Sequence, residues 1–121
     1  MGTRSNIYIE VEPGTYLGTY CHYDGYPSHM FPTLSYMSKD ILLAHILVGM
    51  TQGGIRGLHN DKGATEYLED TSVACVLTDP FSDPNWSEEF VWVKRYDDKV
   101  MWRHAFQDQW NFRQENPAEE Q

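Results

Sequence analysis

The chain has 121 residues, 18 acidic against 9 basic, for a formal net charge of −9. That length suits one domain, and 40% hydrophobic with 22% charged residues describes a chain that buries a core rather than a disordered one. The negative balance argues against binding nucleic acid directly or an anionic membrane, because both would repel it.

Residues 1 to 5 form a polar lead-in that carries Arg4 and Ser5. From Asn6 to Glu12 the chain alternates, with Ile7, Ile9 and Val11 on one side and Tyr8, Glu10 and Glu12 on the other. This is the period of a half-buried strand. Pro13-Gly14 signals a turn, and Tyr16 to Tyr23 reads as the returning strand of an antiparallel hairpin. Such a hairpin places Arg4 and Ser5 beside His22 and Asp24.

Asp24-Gly25-Tyr26-Pro27 turns the chain, with Gly25 expected to supply a positive φ. A helix opens at Pro27 or Ser28 and buries Met30, Phe31 and Leu34; Pro32 fits it only within the first turn. Ser38 caps a second helix whose apolar face is Ile41, Leu42, Leu43, Ile46 and Leu47. Met50 to Ala64 reads as loop, with Arg56 among three glycines but without a phosphate-binding loop fingerprint. Glu66 to Asp70 is a short strand or turn, Ser72 to Thr78 a buried strand or helical turn, and Asp79 to Asn85 a loop. Glu89 to Tyr96 and Lys99 to Phe106 form a second hairpin about Asp97-Asp98. Trp92 and Trp102 lie on its facing strands and read as packing residues, or alternatively as a stacking surface. The expected fold is α+β: one domain over residues 1–106, with an antiparallel sheet of two hairpins plus an added strand packed on two helices. Residues 107–121 form a polar acidic tail.

The two cysteines, Cys21 and Cys75, are too few for a disulfide framework. Together with the lack of a leader-like segment they predict free thiols and a cytoplasmic location. No apolar run is long enough to cross a bilayer as a helix.

The densest chemistry is Tyr20-Cys21-His22-Tyr23-Asp24-Gly25-Tyr26-Pro27. His22 and Asp24, two apart on a strand, would share a face and act as a base with its orienter, as ligand contacts, or as a structural turn. With His29 they would give a metal triad, although no recognised metal motif supports one, and neither a metal nor a cofactor is expected. Cys21 points away from His22 if both are on the strand, which makes it a small core residue. Arg4 offers planar contacts to phosphate or carboxylate, or an ion pair with Asp24. The candidate ligand-binding set is Arg4, Ser5, Tyr20, His22, Asp24, Tyr26 and Arg56, with His22 and Asp24 as the catalytic alternative. Seven acidic residues and no Lys or Arg from Glu66 to Glu89 offer a separate surface that a basic protein groove would accept.

Thr3-Arg4-Ser5 followed by Tyr20-Cys21-His22-Tyr23-Asp24-Gly25-Tyr26-Pro27 resembles a family of small, largely uncharacterised phage and prophage proteins. That resemblance implies a viral setting and a counter-defence role: sequestering a nucleotide-derived immune signal. The alternatives are an acidic inhibitor of a host defence nuclease complex, of the anti-CRISPR or DNA-mimic kind, and a small hydrolase of a signalling nucleotide. A homo-oligomer with its site between subunits is compatible with the first.

Overall fold

The computed structural model describes residues 3–52, 54–59, 65–67 and 90–104. At its centre is β1 (Ser5–Glu12), which pairs antiparallel with β2 (Thr15–Cys21). Two helices follow, α1 (Pro27–Tyr36) and α2 (Lys39–Gln52), then β3 (Ile55–Gly57) and β4 (Glu66–Tyr67). The last described elements are β5 (Phe90–Lys94) and β6 (Val100–His104), an antiparallel pair. The six strands form one sheet in the order β4-β3-β2-β1-β5-β6.

The α+β class and both hairpins match expectation. The sheet is mixed, however, rather than antiparallel: β1 pairs parallel with β5, and β2 pairs parallel with β3. The reason is the crossover. A pair of helices between β2 and β3 carries the chain back so that β3 starts beside Cys21, the last residue of β2, and runs on in the same direction. The region expected to be loop therefore contains a strand, and Glu66–Tyr67 pairs with it as the sheet's edge.

The sheet's helix-facing side carries Ile7, Ile9, Cys21, Ile55, Trp92 and Trp102 against Met30, Phe31, Leu34, Leu42 and Ile46. Burying each large aliphatic side chain there contributes roughly 1.5–3 kcal/mol. Trp92 and Trp102 stack at 5.6 Å between ring centroids, so they are packing residues. The other side holds a second cluster of Tyr8, Val91, Val93 and Met101. β1 is thus buried on both faces from Ile7 to Glu10, not half-buried. Gly18 sits opposite Tyr8, and a Cβ there would lie 2.4 Å from the Tyr8 ring, so the missing side chain makes room for the phenol.

Ser38 caps α2, its hydroxyl accepting from the Ile41 amide at 3.3 Å. The core face of α2 is narrower than its sequence suggests: Leu42 and Ile46 are buried, whereas Ile41 and Leu47 are exposed. Pro32 lies in the second turn of α1, beyond the first-turn limit that its missing N–H suggests. The Thr33 hydroxyl donates to the His29 carbonyl at 2.7 Å, a local bond beside the place where proline interrupts the ladder. At the other end of α1 the buried Lys94 ammonium donates to the Leu34 carbonyl at 2.5 Å. A cation there suits the negative end of the helix dipole. Burial pulls the Lys94 pKa below the usual lysine range, and Asp98 at 4.0 Å opposes that.

The expected elements at Ser72 to Thr78 and Asp79 to Asn85, most of the acidic stretch, and the tail at 107–121 lie outside the described residues. No helix among the described residues is long and apolar enough to cross a membrane.

Candidate functional site

β2 and β3 run in parallel, and β3 starts beside Cys21 and extends past the C-terminal end of β2, the end at which ligand sites are common in sheets with parallel strands. β2 stops at Cys21, two residues before its expected end. Backbone bonds nevertheless continue beside β3: the His22 amide donates to the Ile55 carbonyl at 2.9 Å and the Tyr23 amide to the Arg56 carbonyl at 2.8 Å. The chain then turns at Asp24, whose φ is 60°.

The positive φ is thus at Asp24 rather than Gly25. Gly25 has a different task. A Cβ on it would lie 2.6 Å from the Ser5 Cβ and 2.9 Å from the Thr3 carbonyl oxygen. The Gly25 amide donates to that carbonyl at 2.9 Å, and its own carbonyl accepts from Trp92 Nε1 at 2.7 Å. The turn is therefore held from the lead-in on one side and from the core on the other. Asp24 rests on a backbone with little freedom, the condition under which a costly αL conformation persists.

Tyr23, Asp24, Arg56, Gly57, His59 and Glu66 line an open cleft of about 390 Å³ at these strand ends. Burial, together with the neighbouring Asp24 carboxylate, raises the Tyr26 pKa, so its hydroxyl stays protonated. Behind the cleft the His29 Nε2–H donates to the Leu58 carbonyl at 2.8 Å, and the His29 and His59 rings meet edge to face at 5.2 Å. Arg56 is exposed, and among the described residues it makes no ion pair.

Of the seven candidate residues, Asp24 and Arg56 line the cleft, and Tyr26 stands near enough to Asp24 to feel its charge. Ser5 is fully buried beneath Gly25. Arg4 lies at the expected end of β1, its carbonyl accepting from the Phe90 amide at 3.4 Å, but it does not line the cleft and makes no ion pair with Asp24. Tyr20 and His22 share a hydrogen bond of 2.6 Å between the phenol and Nδ1. The strand period does bring two residues to one face, but they are Tyr20 and His22. The turn at Asp24 carries its carboxylate into the cleft, away from a pairing with His22, and no bond joins those two side chains.

Cys21 packs in the apolar core, where burial pushes its pKa up to about 12. A thiol so rarely ionised is not a nucleophile. Among the described residues, no three His, Cys, Asp or Glu side chains are gathered as a metal site. The cleft residues absent from the candidate set are Gly57, His59 and Glu66, together with Tyr23. The signal for them was the pairing of β3 with β2, and a three-residue strand is too short to announce itself by alternation.

In composition the cleft offers one guanidinium, two carboxylates, an imidazole and a phenol ring, with a glycine that lets a ligand approach the backbone. It suits a small polar ligand with an anionic group, hydrogen-bond donors and a flat face. No known family model, curated protein or solved structure gives a significant match to the chain.

Proposed function

We propose that the protein binds a small nucleotide-derived ligand in the cleft at the ends of β2 and β3, and holds it without converting it. The observation that carries this reading is Arg56: an exposed guanidinium with no ion pair among the described residues, lining the same cleft as the Tyr23 ring. Arg is well matched to phosphate, and a tyrosine face stacks on a base. A cleft of about 390 Å³ is near the small end for ligand sites, which suits one nucleoside phosphate unit rather than two.

The hydrolytic alternative built on a His22–Asp24 pair is not supported, because His22 is engaged with Tyr20 and does not line the cleft. The resemblance to phage and prophage proteins supports a biological setting: sequestration of a nucleotide immune signal in the host cell.

The test is native mass spectrometry of protein purified from cells with an active nucleotide-signalling defence, followed by denaturation and identification of what is released. An intact, stoichiometric nucleotide, retained by Arg4→Ala and lost in a folded Arg56→Ala protein, is the expected result. A chemically altered product would replace sequestration with catalysis, and an empty protein would remove the ligand reading.

A further inference from the structure

Two carboxylates in a cleft proposed to take an anionic ligand demand an explanation. Asp24 and Glu66 both line it, against one Arg56. Phosphate alone would be repelled by them, so a ligand that fits must bring hydrogen-bond donors, N–H or O–H, to at least one carboxylate.

The two carboxylates differ in how they are held. Glu66 is exposed and lies on a two-residue edge strand. Asp24 lies on the turn fixed by the Gly25–Thr3 and Trp92–Gly25 hydrogen bonds. An ionised carboxylate has about four lone-pair positions, so both oxygens of Asp24 can accept from a ligand. Preorganised groups give the best selectivity, because little ordering is left to be done on binding.

The four common bases present different edges to a carboxylate. Adenine offers an amino donor beside a ring-nitrogen acceptor, and cytosine does the same. Uracil has one N–H between two carbonyls. Guanine alone places two donors side by side, N1–H and the N2 amino group, at a spacing that meets both oxygens of one carboxylate. Bases freed from a duplex are commonly read by such contacts to the Watson–Crick edge.

We infer that the cleft selects guanine nucleotides, with the Asp24 carboxylate accepting from N1–H and N2–H while Arg56 holds the phosphate. This inference rests on the nucleotide-binding reading above.

Calorimetric titration of the full chain with GMP, IMP, AMP, CMP and XMP tests it. GMP should bind tightest, by about tenfold or more over AMP and CMP, and IMP should be weaker than GMP because it lacks the N2 amino group. Asp24→Asn is the diagnostic variant. Asparagine tolerates αL, so the turn is retained. Its amide pairs an acceptor with a donor, which no longer suits guanine and does suit xanthine, whose N1–H adjoins a carbonyl. The expected outcome is loss of GMP affinity and gain of XMP affinity, a reversal that damage to the fold would not produce. Equal binding of all five nucleotides, abolished by Arg56→Ala, would overturn the guanine assignment and leave the cleft a nucleotide site. Failure of every nucleotide to bind the parent protein would overturn both.

Discussion

A Cβ atom added to Gly25 would stand 2.6 Å from that of Ser5, closer than two non-bonded carbons ever pack. The expected effect of Gly25→Ala is therefore a loss of about 1–3 kcal/mol through overpacking. Ser5→Gly removes the Ser5 contacts but leaves the Thr3 carbonyl at 2.9 Å. Combined with Gly25→Ala it should recover part of the loss. Urea unfolding of the two single variants and the double variant measures the coupling. Additive losses would show that Ser5 is not what excludes a side chain at position 25.

Trp92→Phe keeps a ring in the core but leaves the Gly25 carbonyl without its 2.7 Å donor. The expected cost is about 1–3 kcal/mol. The turn carrying Asp24 should loosen as well, visible as faster amide exchange at Gly25. Unchanged exchange would mean that the lead-in alone holds the turn.

Glu10 is almost fully buried yet accepts four hydrogen bonds. The Gly14 amide and Tyr16 hydroxyl meet one oxygen, and Arg95 Nε and the Tyr96 amide the other. Burial by itself would raise its pKa; these donors outweigh it and lower the value from 4.5 to about 2. At about 1.4 kcal/mol per pH unit, that gap corresponds to about 3 kcal/mol of native stability. The contribution is complete above the ordinary value of 4.5 and disappears as pH falls towards 2, because the unfolded chain takes up the proton first. Glu10→Gln should be less stable at pH 7 and should lose less stability than the parent between pH 5 and 2. Parallel pH–stability curves for the two proteins would contradict this.

With its pKa near 12, Cys21 should resist alkylation while the protein is folded. In a Cys75→Ser background, thiol labelling at pH 8 is expected to be about three orders of magnitude slower than in urea. Rapid native labelling would place the thiol outside the core.

Much of the fold is legible in local pattern. The alternation at Ile7, Ile9 and Val11, the Pro13-Gly14 turn and the Ser38 cap are interactions between near neighbours, and the structure follows them. Glu10 was unreadable as a buried hub because its partner Arg95 is 85 positions away, and alternation assigned it to the outward face of a half-buried strand. The Tyr20–Pro27 stretch marked the right neighbourhood for the candidate site, but not the right members. His22 looked like Asp24's partner by spacing alone, and a single αL residue redirected the carboxylate to Arg56's cleft. Position 25 reads as a flexible glycine in sequence, whereas its role is steric and depends on Ser5 across the hairpin.

The sheet order also dictates how the molecule can be made. β1 is central, but its second neighbour, β5, comes from the far end of the described chain. During synthesis from the N-terminus the β1–β2 hairpin can close early, while the other side of β1 stays an open edge until Phe90–Lys94 has emerged. A ribosome-stalled or truncated product lacking that strand would expose Ile7 to Ile9 as a template for another chain. Folding should accordingly be slow for a protein of this size, since the pairing that completes the core has to close the longest loop.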